Sequence, residues 1–542
     1  MKFTFQTATS NILKNISMYK NVLDMSNYRM EKLPKRKLTK VEKVLAIIGG
    51  PLAIISFIFI MFVLDISFLK NFNVESLSKS ALKNFNEIGL VNFVQSNRAM
   101  LAIFVAALIL WITEAIPNYL TSLILIIALV LTGVLPEKVA YAQLGHEVMW
   151  LNILSFILAS MLVATGVAKR FALWFILKFG KNASSIFLSF IVINVLLSIF
   201  ISATTAKAAI LLPIFMVIAA VYGASNGNRN NFGRNIILQN LFQINMGASA
   251  FLTGSGANLL AASLIAGAIG SDIFFADWMI AAFPGAMILM ILGWIIGTKI
   301  IFPLKKEERT PSIEGGMQTL KTELDSLGKV SFNEIKSIVI FVSILALWVT
   351  DKYHGVSPTA VAFVGAIIAL MPKIGIVSWN DVDIPWHLLL FSAGAYTLGA
   401  GFNVTDLPSI AVNSLFDGLG ISDHTPFWVL YLVLTFGMVF SALIFQSKTM
   451  RAMIFIPIAI GIATRFGFEI ISLTLPVAFL IEHVYTLPFN SKPALLLYST
   501  NHYSWADTFK YGITMQILAW FLSIVMAMTY FKWLDITPNG LF

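Results

Sequence analysis

Four basic side chains interrupt stretches of sequence that are otherwise apolar. Lys207 stands in ISATTAKAAILLPI, Lys448 and Arg451 stand in FQSKTMRAM, and Lys492 stands in NSKPALLL. A charge near the centre of a bilayer costs about 2.5 kcal/mol or more, so such residues mark functional sites or buried partners. Fixed positive charge beside hydroxyl groups suits an oxyanion or a small anion with two or more carboxylates. The sequence therefore predicts an anion-binding site that contains these four cations.

The polar segments around the cations also break four helices. Irregular backbone within a membrane is tolerated only against protein or a water-filled cavity, so the breaks are expected to meet at one site. Helices that restart at a break present N–H groups and positive dipole ends to an anion. The residues predicted to bind substrate are Ala203, Thr204, Thr205, Gly254, Ser255, Asn258, Ser447, Thr449, Pro488, Asn490 and Ser491.

Some of these residues have simpler interpretations. Gly254 and Pro488 can serve only to pack or to break helices, and Lys492 can extend its ammonium group to the membrane surface. Glu482 can neutralise one of the cations in a buried ion pair. A proton relay through Glu482 and His483 is a weaker alternative to a structural role.

The composition places these residues in a polytopic membrane protein. Of 542 residues, 58% are hydrophobic and 12% are charged, and apolar runs recur from Val44 to Tyr530. This pattern predicts an all-α protein with multiple membrane-spanning helices. The absence of cysteine excludes thiolate chemistry, and the six histidines show no metal-ligand spacing. No metal site and no cofactor are predicted.

The N-terminal segment, residues 1–43, is strongly basic. It holds ten Lys and Arg residues against three Asp and Glu residues, a net charge of +7. By the positive-inside rule the segment is predicted to be cytoplasmic, in a multi-pass protein of the plasma (inner) membrane. Contact with anionic lipid headgroups explains the basic charge better than nucleic-acid binding, and no nucleic-acid partner is expected.

Two apolar segments are too short to cross the membrane alone. Ile186–Ile201 and Ala208–Tyr222 flank a polar break, and each reaches only about 22–24 Å against a core of about 30 Å. They predict a re-entrant hairpin at 183–222, with a counterpart at 426–464. The resulting organisation is a first half at 44–303, a charged cytoplasmic linker at 304–336 and a second half at 337–535.

The second half repeats the pattern of the first. WITE begins at Trp111 and WVTD at Trp348, an offset of 237, while Pro213 and Pro457 follow the two hairpin breaks at an offset of 244. An odd number of crossings between the hairpins predicts inverted topology. Interrupted helices at corresponding places of inverted halves point to a transport site near the midplane.

These motifs together resemble the divalent anion/sodium symporter family, which carries dicarboxylates, citrate and sulfate. WITEAIP at 111–117 looks like its early-span signature, and LWVTDKYHGVSPTAVAFVGAIIALMP at 347–372 looks like the repeat partner. The resemblance covers about 44–535. It implies about eleven transmembrane helices plus two re-entrant hairpins, a scaffold domain, a transport domain that moves as an elevator, and a homodimer.

The chain departs from the family's sodium-coupled members at the hairpin tips. Those members carry Ser-Asn-Thr at each tip and coordinate sodium there. Ala203 and Thr204 stand at the first two positions of one motif, and Lys448 replaces Asn in the other. Lys207 and Arg451 follow at the fourth position after each motif's first residue. Fixed cations at these positions resemble the family's sodium-independent exchangers.

The predicted function is sodium-independent exchange of dicarboxylates of the 2-oxoglutarate, malate, succinate or fumarate type. An ammonium group cannot share a small oxygen cage with sodium because their repulsion at contact distance is large. An empty site with exposed, unpaired positive charge would be costly to move, which would make exchange obligatory. The alternative is a sodium-coupled symporter of di- or tricarboxylates or of sulfate.

Two other classes of membrane protein are less consistent with the sequence. An enzyme would need a catalytic set, and the best pair, His146 and Glu147, stands in a loop before a span. An anion channel would need a continuous pore, whereas hairpins that meet at the midplane favour alternating access. The protein is therefore predicted not to be an enzyme.

Overall fold

Helices dominate the chain because backbone groups in an apolar environment must satisfy one another within each segment. The computed structural model describes residues 40–224, 229–312, 316–382, 384–418, 425–445, 447–488 and 490–541. Within these ranges the chain is helical and contains no β-strand. Most of the basic segment 1–43 lies outside the described residues.

Among its described residues, the first half contains eleven α-helices up to the linker. In chain order they are α1 (Lys40–Ile58), α2 (Lys79–Thr113), α3 (Asn118–Leu131), α4 (Glu137–Ala142), α5 (Glu147–Thr165), α6 (Val167–Phe179), α7 (Ala183–Phe200), α8 (Thr204–Val221), α9 (Asn231–Ala250), α10 (Gly256–Ile269) and α11 (Phe275–Ile296). We call α7 and α8 the first hairpin, and α9 and α10 the first broken helix.

The linker and the second half supply the remaining helices. They are α12 (Gly316–Ser326), α13 (Phe332–Val349), α14 (Asp351–His354), α15 (Pro358–Leu370), α16 (Trp386–Thr405), α17 (Leu407–Gly418), α18 (Phe427–Phe440), α19 (Lys448–Arg465), α20 (Ile470–Phe479), α21 (Lys492–Tyr498), α22 (Trp505–Met528) and α23 (Tyr530–Trp533). We call α18 and α19 the second hairpin, and α20 and α21 the second broken helix.

Length and composition identify a polytopic membrane protein. Among the described residues, eight helical segments are long and apolar enough to cross a membrane, and six shorter apolar helices accompany them. The shorter group includes α7 of the first hairpin and α10 of the first broken helix. An all-α membrane protein is therefore confirmed, whereas the count of eleven spans stays a prediction.

Three features of the fold have no clear signal in the sequence. The mixed segment 65–97 is largely helical, because α2 begins at Lys79 behind the cap Ser78 and continues through a kink at Gly89. The linker contains α12 rather than only irregular chain. The second broken helix stops at Phe479 and restarts at Lys492, so its break begins well before the polar segment NSKPA at 490–494.

Each hairpin packs against the broken helix of the other half. Helix α10 of the first broken helix contacts α19 of the second hairpin, and α21 of the second broken helix contacts α8 of the first hairpin. Each hairpin also contacts the broken helix of its own half. The four interrupted segments therefore form one cluster, as the sequence predicted from their chemistry.

The WVTD motif ties the linker-proximal helices together. The Asp351 carboxylate accepts a hydrogen bond from the backbone N–H of Phe275 at 2.8 Å, which caps the start of α11. The Trp348 ring stacks on the Phe275 ring at a centroid distance of 5.2 Å. The motif therefore joins the end of α13 to the start of α11.

Candidate functional site

Three of the four helices that restart at a break begin with a serine cap. Ser255, Ser447 and Ser491 each accept a hydrogen bond from a backbone N–H three residues later, at 3.3 Å in each case. Helix α8 instead begins after Ala203, whose side chain cannot cap it. The predicted substrate-binding serines thus cap these helix N-termini.

The first break is held by a glycine and an amide. A side-chain carbon at Gly254 would lie 2.2 Å from the carbonyl oxygen of Ala248, so only glycine fits this turn. Asn258 Nδ2 donates to the carbonyls of Ala248 and Phe251 at 2.8 and 3.0 Å. Asn258 is fully buried, and its amide nitrogen organises the break.

Lys207 of the first hairpin is completely buried. Its ammonium group donates to the hydroxyl of Ser198 at 2.9 Å and lies 3.5 Å from the carbonyl oxygen of Ile244. The first partner belongs to the other arm of the same hairpin, and the second belongs to the first broken helix. A fixed positive charge therefore occupies the junction between these two elements.

Arg451 of the second hairpin is also completely buried, in a cage of oxygen atoms. Its guanidinium donates to Ser441 Oγ at 2.9 Å, to the carbonyl of Ile481 at 2.7 Å, to the carbonyl of Leu480 at 3.4 Å and to the carbonyl of Met438. The first and last partners lie in the second hairpin, and the other two lie in the second break. The cation thus fastens hairpin to break, as Lys207 does in the first half.

Lys448, at the second tip, forms an ion pair with Glu482. The lysine side chain is 13% exposed, whereas the glutamate side chain is fully buried. The other carboxylate oxygen of Glu482 accepts a hydrogen bond from Ser255 Oγ at 2.6 Å. One carboxylate therefore connects the first break, the second break and the second hairpin tip.

The second break uses its predicted polar residues to secure its own backbone. Asn490 Oδ1 accepts from the N–H of Leu487 at 2.5 Å, and its Nδ2 donates to the carbonyl of Ala442 in the second hairpin. Ser491 Oγ donates to the carbonyl of Val484 at 3.3 Å. Asn490 is buried, as is Pro488. These contacts give the two predicted polar ligands a positioning role in the described conformation.

The hairpin tips themselves are half-buried. Thr204 and Thr205 lie in the first turn of α8, and Thr449 lies in the first turn of α19. Lys492 is exposed at the start of α21, and its ammonium lies 3.4 Å from His387 Nε2 of α16. Lys492 is thus the most accessible of the four predicted cations.

Comparison with known proteins identifies the family of this chain. The family model described as the sodium:sulfate symporter transmembrane region matches residues 88–537. The chain belongs to the sodium:sulfate symporter family. Membership in this family confirms the predicted resemblance, and it identifies a transporter rather than an enzyme.

Relatives of this family member cover most of its length. A membrane protein of Cupriavidus necator is 24% identical over 460 residues, which span 81% of this chain and 88% of that protein. The sodium-dependent dicarboxylate transporter SdcS of Staphylococcus saprophyticus is 27% identical over 470 residues, 82% of this chain and 88% of that protein. The putative malate transporter YflS of Bacillus subtilis is 27% identical over 323 residues, 58% of this chain and 66% of that protein.

The expectation of exposed, unpaired charge at this transporter's tips is wrong for Lys448. Its ammonium group is paired with Glu482, and Lys207 and Arg451 are hydrogen-bonded and buried. The physical reason is the cost of an unpaired charge in an apolar protein interior. The site nevertheless holds more cations than carboxylates, so its surplus charge remains positive.

Several contributing groups carried little or no signal in the sequence of this family member. Ser198 and Ser441 accept hydrogen bonds from buried cations nine and ten residues away, and they look like ordinary small residues of an apolar run. The carbonyl groups of Ile244 and Ile481 have no sequence signature. Glu482 did have one, because it is an acidic residue in an apolar segment, and its predicted pairing with a cation is confirmed.

Proposed function

We propose that this family member is a secondary transporter of dicarboxylates of the 2-oxoglutarate, malate, succinate and fumarate type. Support comes from the surplus positive charge among the four interrupted segments and from relatives whose names refer to dicarboxylates and malate. Helix N-termini and cations that converge in a poorly solvated place favour a small polyanion. The predicted substrate ligands are the N–H groups and hydroxyls at the two tips and breaks.

We further propose that exchange is sodium-independent, with fixed cations in the place of sodium ions. The observation that carries this proposal is the oxygen cage around Arg451, which combines three carbonyls and a hydroxyl. Such oxygens are the ligands that hard cations prefer, and the guanidinium occupies the space between them. Lys207 holds an analogous position against Ser198 and Ile244.

Sodium-coupled symport is the second candidate, and the relatives favour it. The relative from Staphylococcus saprophyticus is named a sodium-dependent dicarboxylate transporter. A symporter built on this chain would need sodium sites that the two buried cations do not fill. Uptake with and without sodium separates the two candidates.

The decisive experiment uses purified protein in liposomes. Half of the liposomes contain unlabelled succinate and half are empty, and labelled succinate is supplied outside in choline or sodium buffer. Exchange without sodium gives uptake only into preloaded liposomes, at equal rates in both buffers. Uptake into empty liposomes that requires a sodium gradient would establish symport and overturn the proposed role of the cations.

Lys448→Ala tests the cation that lies at the tip. The variant is expected to lose most of its succinate uptake and to weaken its dependence on preloading, because the site loses a positive charge. Lys181→Ala, at an exposed position outside the cluster, serves as the control. Wild-type exchange by Lys448→Ala would exclude a role for this lysine in transport.

We extend the proposal to the architecture. The matched hairpins and broken helices support two inverted halves, a mobile transport domain that contains them and an elevator movement against a scaffold. Homodimerisation, placement in the plasma (inner) membrane and a cytoplasmic N-terminus complete this proposal. Cross-linking of cysteines introduced into this cysteine-free chain would test the movement and the dimer without background from native thiols.

A further inference from the structure

One buried carboxylate lies among the cations of the cluster. Glu482 pairs with Lys448, and it is close enough to interact electrostatically with both Lys207 and Arg451. Among the described residues that form the cluster, it is the acidic side chain that pairs with Lys448, and the carbonyl of Ile481 directly before it accepts from Arg451. Its position at the break between α20 and α21 puts it at the centre of the charge distribution.

The charge on Glu482 is fixed in place. One oxygen of its carboxylate accepts from Ser255 and the other accepts from Lys448, and the side chain has no exposed surface. A buried carboxylate held on both oxygens cannot turn towards water when an anion arrives. It therefore contributes a permanent negative charge to the place where the anion binds.

The balance of fixed charges defines which anion neutralises the site. With every basic side chain protonated, Lys207, Lys448 and Arg451 supply three positive charges and Glu482 supplies one negative charge. The surplus is two positive charges. Lys492 is left out of this balance because it is exposed and solvent screens its charge. A dianion cancels this surplus, whereas a trianion leaves an uncompensated negative charge, which is costly in a poorly solvated site.

We infer that Glu482 selects the valence of the transported anion, favouring two negative charges over three, because its buried carboxylate offsets one of three buried cations. This inference rests on the proposed transport of dicarboxylates and adds a specificity determinant to it. Glu482 is a positioning and charge-setting residue, and substrate contact is left to the tips.

Glu482→Gln is the direct test, because it removes the charge and keeps the shape and one acceptor for Ser255. Uptake of labelled succinate into preloaded liposomes is measured against unlabelled succinate or unlabelled tricarballylate, a trivalent analogue, at about pH 6.5, where carboxylic acids are ionised and basic side chains are protonated. The ratio of the two inhibition constants is expected to move at least about tenfold towards the trianion, from the loss of one nearby like-charge repulsion. Glu469→Gln, the same change at an exposed position on the preceding segment, is expected to leave the ratio unchanged.

A charge-restoring pair separates valence selection from a structural effect. Lys448→Gln combined with Glu482→Gln has the wild-type surplus of charge, so its preference is expected to return towards the dianion even if its rate is low. Glu482→Asp retains the charge and is expected to retain the dianion preference. If Glu482→Gln fails to fold, the ratio of the two inhibition constants is compared between Lys448→Gln, which retains Glu482, and the double variant, which lacks it. The difference between these two ratios measures the same effect of Glu482.

The outcomes distinguish this inference from the proposed function. If wild-type protein transports succinate but Glu482→Gln shows the wild-type ratio, valence selection by Glu482 is overturned and the transport proposal stands. Valence selection is overturned in the same way if the double variant behaves like Glu482→Gln. If the wild-type protein takes up no dicarboxylate under any sodium or preloading condition, the proposed function fails, and this inference fails with it.

Discussion

Replacing Arg451 by alanine tests whether a guanidinium holds the second hairpin to the second break. The substitution removes the donor of four buried acceptors. The Met438 carbonyl still accepts from Ser441 Oγ at 2.8 Å and the Leu480 carbonyl from the N–H of His483 at 3.4 Å, so the Ile481 carbonyl and the Ser441 hydroxyl are the two groups that lose their described donor. At about 1–3 kcal/mol for each buried group left without a partner, the expected loss is about 2–6 kcal/mol.

The same variant asks whether the emptied cage can bind sodium. If sodium binds there with a dissociation constant of about 1 mM, roughly 100 mM sodium would restore about 2.7 kcal/mol, since a ligand stabilises the state that it binds. We therefore expect Arg451→Ala to unfold at a lower temperature than wild type in choline chloride and to regain part of that difference in sodium chloride. The wild-type protein should show no such difference between the two salts.

Thermal unfolding in detergent, followed by tryptophan fluorescence, provides the assay, and the 12 tryptophans of the chain supply the signal. Arg309→Ala serves as the control, because Arg309 is exposed and its one described hydrogen bond, to Leu304, is 3.5 Å long. An Arg451→Ala variant as stable as wild type would refute the role of the guanidinium at the tip. A destabilised variant that sodium does not rescue would remove the cage as support for cation replacement.

Three further predictions concern packing, the linker and pH. Gly254→Ala should unfold several degrees lower and lose uptake, whereas Gly256→Ala, whose nearest neighbour is a side-chain atom at 3.3 Å, should retain both. Arg170→Met should expose the linker to limited proteolysis, because Arg170 donates to Glu334 at 2.5 and 3.0 Å and to two linker carbonyls. A variant whose linker resists the protease as well as wild type does would contradict this prediction. Burial raises the pKa of Asp351 above its ordinary value of 3.8. The stability that the protonated carboxyl contributes is therefore fully present below about pH 3.8, and it is lost as the pH rises through the raised pKa. Asp351→Asn should flatten that part of the pH–stability curve.

The helices of the hairpins could be predicted because their ends coincide with the ends of apolar runs. Asn182 forms a capping box with Ser185 at the start of α7, and Ser447 caps α19. Both signals are local. The start of α2 at Lys79 has little local signal because the segment up to about residue 97 mixes polar and apolar residues. This part of the helix is supported by distant contacts, such as the hydrogen bond from Asn84 Nδ2 to the carbonyl of Val404 at 2.9 Å.

The start of the second break could not be located from the sequence for a similar reason. Residues 480–487 are mostly apolar and look like a continuing span, although Glu482 and His483 are unusual in that position. The cations of the site were predictable from their cost in an apolar segment. Their partners were harder to predict. Ser255 and Glu482 are 227 residues apart, and any residue type can supply the backbone carbonyls that bind Arg451.

The contacts between each hairpin and the broken helix of the other half constrain how the chain folds in the membrane. Lys207 finds its described partners Ser198 and Ile244 within the first half, so this hairpin can be satisfied as soon as α9 has been synthesised. Helix α8 also needs α21, and Ser255 needs Glu482, both of which leave the ribosome more than two hundred residues later. The first half is therefore synthesised before these partners exist, and its folding is completed only after the last quarter of the chain has been synthesised.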